Sequence, residues 1–477
     1  MMRKLLGAIL AIVALLSASI AGTPSVGADE SRSPKRPVIF VHGFVGSGAQ
    51  FETQAMRFTS NGYPADRIGV EEYDSSFATT TMANVWNDLD GVIARLLARS
   101  GASQVELVGH SLGTTVSQGY LGSPARAAKV AHYVNLDGAP AASPPGGVPT
   151  LAVWGEGNSD RQIVGATNVY QPEHSHVQVA TSAETFDAMY RFFTDRAPET
   201  TNIVAQRHVV LSGRATLFPT NAGAEGTTLQ VWEVDGDTGF RKHDRPKATF
   251  SIAADGAWGP FRGSSKKHYE FAILFPTSTH HFYSEPFIRS DHLIRLLTQH
   301  PGTGLDALRE KSEDTAGVIL IRYKELWGDQ GPQNDAVTIN GQSVLTAAIA
   351  PRAKRLNALF AFDHNLDGVT DLSAPIPVFA ALPFISGADL SVPASTPPDR
   401  TIRVTVRPRG GNGRVEHVNV PNWASATNFS SIHLRDFVQP PRDSDDHDDD
   451  YRDNDREDDR EDDDHEGSSR RSDDRDD

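Results

Sequence analysis

Between residues 37 and 198, short apolar runs alternate with segments whose apolar residues recur every three or four positions. Val38-Ile39-Phe40-Val41 is β-branched or aromatic throughout, the pattern of a strand buried on both faces. Residues 68–73, 105–108, 132–136 and 151–154 read as further strands of this kind. Val85, Leu89, Val92, Ile93, Leu96 and Leu97 fall on one helical face. This alternation predicts an α/β fold, a parallel sheet covered by helices, with its active site beyond the carboxyl ends of the strands.

At the end of the run 105–108 stands Gly109-His110-Ser111-Leu112-Gly113, followed by a helical stretch. A serine hydroxyl presented at a sharp strand-to-helix turn needs small neighbours two positions to either side, and both are glycine here. The helix that follows aims its N-terminal N–H groups at the site, where they favour developing negative charge. A GxSxG string alone is common; placed strand-turn-helix, it predicts a nucleophilic Ser111. His42-Gly43-Phe44-Val45-Gly46 closes the first strand. The backbone N–H groups of Phe44 and Leu112 are therefore the expected oxyanion donors, with His42 shaping the loop.

The base is sought downstream, in Pro172-Glu173-His174-Ser175-His176-Val177, just before a helix N-cap with a capping box at Thr181-Ser182-Ala183-Glu184. His176 is preferred, because apolar residues follow it, whereas His174 lies further out in the loop. His280 and His281 fall in β-like sequence and default to surface or packing roles. The acid is contested on residues alone. Asp137 ends a strand rigidly, while Asp160 follows the next strand within a polar, glycine-rich loop.

The formal charge of −16 is concentrated in one place. Residues 441–477 hold 20 acidic and 7 basic residues, a net −13, which leaves 41 against 38 and a net −3 elsewhere. A nearly neutral body has no basic excess for phosphates, so nucleic acid is excluded as a partner. The tail has too few apolar residues to offset the entropy of ordering and is expected to be disordered. Arg3 and Lys4 precede an apolar run from Leu5 to Leu16 and then small residues to Ala28. That order predicts a signal peptide over 1–28, cut after Ala28 or earlier near Ala21, and hence a secreted protein. An uncleaved anchor is the alternative, but the run is too short to span a bilayer comfortably, and no transmembrane segment is expected after cleavage. The absence of cysteine removes disulfides, thiol nucleophiles and Cys-ligated zinc. No cofactor is expected.

After residue 198 short alternating segments separated by Gly/Asp turns replace the α/β texture. Residues 203–275 read as a β-sandwich similar to the transthyretin-like modules of carboxypeptidases, with a hairpin at 228–241. Residues 276–440 read as a second β-rich unit containing one helix near 291–298. Asp363, Asn365, Asp367 and Asp371 stand at ligand positions of an EF-type calcium loop, with Gly368 at its sixth position. Ala374 replaces the bidentate acid at the twelfth, so a polar turn is the favoured reading and weak calcium binding the alternative.

From about residue 37 to 437 the chain resembles the secreted and archaeal two-domain lipases, an α/β-hydrolase domain followed by a β-rich lipid-binding domain. The resemblance is carried by Phe40-Val41-His42-Gly43, Gly62-Tyr63-Pro64-Ala65-Asp66-Arg67, the serine motif and Ala166-Thr167-Asn168-Val169-Tyr170. It continues in Thr181-Ser182-Ala183-Glu184-Thr185-Phe186, Leu320-Ile321-Arg322-Tyr323-Lys324-Glu325 and Ala388-Asp389-Leu390-Ser391-Val392. It implies a catalytic domain over 37–198 with acid Asp137, from Leu136-Asp137-Gly138, and base His176, from His176-Val177-Gln178. Asp160 is kept as the fallback acid. It also implies a lid, for which residues 74–82 are the candidate, and a lipid or ester substrate met at a lipid–water interface. The acidic tail departs from the pattern. The expected function is therefore a serine carboxylester hydrolase of lipase type. The rivals are a hydrolase of polyesters or other acyl compounds, and a non-catalytic surface-binding protein on the same fold.

Overall fold

The computed structural model describes residues 35–438; the expected signal peptide (1–28) and acidic tail (441–477) lie outside them. Six parallel strands form the first sheet: β1 (Val38–Val41), β2 (Ile68–Glu71), β3 (Val105–His110), β4 (Val130–Leu136), β5 (Thr150–Trp154) and β6 (Thr167–Tyr170), in the order β2-β1-β3-β4-β5-β6. Its helices are α1 (Glu52–Ser60), α2 (Met82–Ser100), α3 (Leu112–Leu121), the single turns α4 (Pro124–Ala127) and α5 (Gln178–Thr181), and α6 (Ala183–Thr194).

The expected burial on both faces is realised residue by residue. Val38 and Phe40 pack with Phe58 of α1 and Phe186 of α6, whereas Ile39 and Val41 pack with Leu89 of α2 and Val116 of α3. A strand so covered has no solvent face to take polar residues, which is why its sequence does not alternate. The strand order reverses between β1 and β3, and the loops after these two strands open side by side, the place where open α/β sheets bind ligands. This is an α/β-hydrolase sheet followed by a β-rich region.

In that region a mixed eight-stranded sheet joins β9 (Thr228–Val234), β10 (Ala248–Ser251), β12 (His268–Leu274), β13 (Thr279–Ser284), β15 (Val318–Leu326), β18 (Leu356–Phe362), β19 (Ile385–Asp389) and β22 (Asn428–His433). Sheet β11-β7-β14 packs on its first half, with β7 (His208–Leu217), β11 (Ala257–Ser264), β14 (Asp291–Thr298) and the short β8 (Ala222–Gly223) beside β7. On its second half packs β17-β16-β20-β21, built from β16 (Ala336–Ile339), β17 (Gln342–Ser343), β20 (Thr401–Arg407) and β21 (Glu416–Pro421). The large sheet thus runs unbroken across residue 275, and β14 pairs with β7 of the preceding segment.

Residues 291–298, expected as a helix, are the strand β14. Ile294 and Leu296 enter the sandwich core, while Leu293 packs toward the α/β sheet. Apolar residues on both faces suppress the alternation of a strand, and the spacing that remains imitates a helix. β15 keeps the period of two. Val318 and Leu320 enter one core, and Ile319 and Ile321 the other side.

Candidate active site

Ser111 sits between β3 and α3 at φ 52° and ψ −121°, a backbone state that costs roughly 1–3 kcal/mol and survives only where the surroundings impose it. The surroundings are glycine. A Cβ on Gly113 would lie 2.2 Å from the carbonyl oxygen of Val41, and one on Gly109 would lie 2.7 Å from that of Gly113. Gly109 lets the start of α3 close over the end of β3, and Gly113 lets α3 come against the end of β1, which brings the loop after β1 beside the serine.

Asp137 follows β4 and is buried. Its Oδ2 accepts from His176 Nδ1 at 2.6 Å, and its Oδ1 accepts from Gly155 N–H and Asn158 Nδ2, both at 2.7 Å. Burial pushes this carboxyl up, but those donors outweigh it and hold the group below its ordinary value. An ionised carboxylate only accepts, so Nδ1 carries the imidazole proton and Nε2 is left as the basic atom. Ser111 and His176 face one cavity, and among the described residues no hydrogen bond joins the serine hydroxyl to the imidazole. Such bonds are commonly long without substrate and tighten when it binds. Phe44 lines the same cavity, and its N–H and that of Leu112 donate to no protein acceptor among the described residues.

The alternatives are placed elsewhere. Asp160 is exposed, away from the imidazole. His174 Nδ1 donates to Gln171 Oε1 at 2.7 Å, and His174 does not line the cavity. Ser182, one residue later than expected, caps α6 by accepting from Thr185 N–H at 3.1 Å. His42 is wholly buried and its pKa is lowered by that burial. Neutral, it donates from Nδ1 to Gly43 O and accepts at Nε2 from Tyr73 N–H, which shapes the oxyanion loop. His280 and His281 are buried and hydrogen-bonded in the β-rich sheet.

Residues 74–82, expected as a lid, do not line the cavity. The Asp74 carboxylate ties them into a closed loop by accepting from the N–H and hydroxyl groups of Ser76 and Thr79. The β-rich region lines it through Ile319, Ile321, Phe360 and Phe429 among others. The EF-like loop is held by its own backbone. Asp363 accepts from Gly368 N–H and the Ser391 hydroxyl, Asp367 from Val369 N–H, and Asp371 from Ser373 N–H. Asn365 turns the chain at φ 67°. Among the described residues no three His, Asp or Glu side chains converge as a metal ion needs.

Several positioning groups were not apparent from the sequence. His110 is driven down to about 3, first by burial and then by the neighbouring His176 ring. It is therefore neutral, accepts from Gln50 Nε2 at 2.5 Å and donates to the His176 carbonyl at 2.9 Å. From the β-rich region, the buried Glu325 carboxylate accepts from Val177 N–H at 2.6 Å, Gln178 N–H at 3.1 Å and the Ser175 hydroxyl. Arg409, paired with Asp335 at 2.6 Å, donates to Gln178 Oε1 at 3.0 Å. The oxyanion loop is held likewise. Asn221 donates to Gly46 O at 2.8 Å, and Arg295 grips Glu72 at 2.6 Å while Glu72 accepts from Gly48 N–H. The β-rich region therefore holds both the loop after β1 and the loop that carries His176.

Glu325→Gln puts an amide NH₂ among backbone N–H donors and releases the His176 loop. The expected result is a fall of about 10²-fold in kcat on a short ester with little change in KM, the scale of an ångström-sized misplacement. Steady-state kinetics on the folded variant, checked by its melting temperature, read this out; an unchanged kcat would show that Glu325 only stabilises.

Residues 35–123 match the class 2 lipase family, residues 207–301 a lipase C-terminal domain family, and residues 304–438 a further C-terminal domain family. Among solved structures, Aspergillus fumigatus lipase B is similar at 14% identity over 36% of this chain and 55% of its own, with a TM-score of 0.29. A gene product of Listeria innocua is similar at 14% identity over 35% of this chain and 97% of its own, with a TM-score of 0.27.

Proposed function

We propose that this chain, whose matched segments fit a two-domain lipase with a C-terminal β-rich domain, is a secreted serine carboxylester hydrolase that cleaves long-chain esters through an acyl-enzyme. The lipase matches support a lipolytic ester hydrolase. The observation that carries the finer reading is the Asp137–His176 pair opening into the same apolar cavity as the strained Ser111.

In this mechanism Ser111 Oγ attacks the ester carbonyl while His176 Nε2 takes its proton. The carbonyl oxygen becomes an oxyanion received by the N–H groups of Phe44 and Leu112. Each such donor contributes about 3 kcal/mol to the transition state. Collapse breaks the ester C–O bond, and the imidazolium returns its proton to the departing alcohol. Water then enters, gives a proton to His176 and releases the acid, restoring Ser111. Asp137 keeps Nδ1 protonated throughout and stabilises the imidazolium. The apolar walls exclude water from the acyl chain and favour a lipid-like substrate.

Expressed with its own N-terminus, the protein should be recovered from the medium beginning at Asp29 and take up one fluorophosphonate per chain, on Ser111. Labelled protein should hydrolyse p-nitrophenyl esters no longer, and unlabelled protein should favour the longer chains of a series. A chain that stays unlabelled is the outcome expected of a surface-binding protein and would overturn the enzyme.

A further inference from the structure

The cavity has a second chemical end. Arg309, in the segment after the short turn Gly304–Leu308, lines it with a side chain only 3% exposed. Its Nη2 donates to Asp306, but Nε and Nη1 have no partner among the described residues. The guanidinium lies 4.4 Å from the centre of the Phe429 ring, another lining residue. A ring face attracts the charge but accepts from few of its N–H groups. The adjoining histidine does not help, because His280 is spent on Thr298 and Ser431.

The local charge is not closed either. Asp306, the carboxylate beside Arg309, also takes Lys311 Nζ at 2.6 Å and Gly302 N–H at 2.6 Å. The next acid, Glu310, is turned to His364 at 2.9 Å and Asn365 N–H at 2.7 Å. Two cations therefore share one carboxylate, and of the two only Lys311, its side chain 29% exposed, reaches solvent, while Arg309 stays enclosed. A buried cation with unmet donors is costly unless something completes it.

The strand β15 walls the space between this end and the chemistry. Glu325 holds the His176 loop, Tyr323, Ile321 and Ile319 line the cavity in turn, and a Cβ on Gly317 would lie 3.1 Å from Arg309 Nη1. The part of β15 that lines the cavity, from Ile319 to Tyr323, spans four steps at ~3.3 Å, about 13 Å. An acyl chain that reached from Ser111 to Arg309 would run along this wall.

We propose that the cavity takes acyl groups whose far end carries a carboxylate, received by Arg309, so that the preferred substrates are monoesters of long-chain α,ω-dicarboxylic acids. This rests on the ester-hydrolase reading of Ser111 and names its substrate. A plain fatty chain would seal a methyl group against the three N–H groups of the unpartnered Nε and Nη1, whereas a carboxylate supplies their acceptors and pairs with the buried cation.

The test compares p-nitrophenyl monoesters of a long-chain dicarboxylic acid with esters of the plain and the ω-hydroxy fatty acid of equal length. The dicarboxylate should be favoured by 10-fold or more in kcat/KM over both. Arg309→Met should level the three, and Arg309→Lys should keep a reduced preference. Equal rates in the native protein would overturn the proposal, and an equal preference for the ω-hydroxy ester would overturn the carboxylate in particular. If no ester is turned over, the hydrolase reading has failed instead. The free dicarboxylic acid then decides, since it should raise the melting temperature of the native protein and not that of Arg309→Met; no shift in either would overturn the proposal.

Discussion

Ser111→Ala is expected to lower kcat by about 10⁶-fold, leaving the modest catalysis that oxyanion donors and a shaped cavity supply without a nucleophile. The serine hydroxyl makes no hydrogen bond to the imidazole, so its loss leaves no buried partner stranded. The variant should therefore melt close to the native protein. Ser111→Gly should be as inactive yet melt higher, because glycine adopts φ 52° without penalty and relieves roughly 1–3 kcal/mol of backbone strain. Hydrolysis of a p-nitrophenyl ester and thermal unfolding of both variants check this. Ester turnover retained by Ser111→Ala would dismiss the serine mechanism.

Asp137→Asn is expected to cost about 10⁴-fold in kcat, for a reason visible in the hydrogen bonds. Gly155 N–H and Asn158 Nδ2 both donate to Oδ1, so the amide oxygen of an asparagine must occupy that place. Its NH₂ then faces His176 Nδ1, which has to accept. The imidazole proton moves to Nε2, and the basic atom is lost. Asp160→Asn should stay within about twofold of the native rate, since surface changes of this kind seldom matter. Equal losses in the two variants would mean that the Asp137–His176 bond is not the one that orients the base.

The α/β half was legible because its signals are local. A buried strand, a glycine-flanked turn and a helical face each occupy a few consecutive residues, and the strands at 38–41 and 151–154 lie where their β-branched runs placed them. Composition and spacing left Asp137 and Asp160 open, because the two donors and the imidazole that meet Asp137 come together only in the fold. Residues 291–298 misled for the opposite reason, since a strand apolar on both faces leaves no period of two to read. Glu325 was in view within Leu320-Ile321-Arg322-Tyr323-Lys324-Glu325, but its partners lie about 150 positions away. No local pattern encodes such a contact.

A recombination breakpoint near residue 200 would look harmless, since it falls between two differently textured halves and cuts none of the proposed reacting groups. The Glu325 contacts say otherwise. A graft that supplied any other sandwich downstream would leave three donors beside the imidazole facing nothing. The two halves can diverge in sequence, but they have to be inherited together.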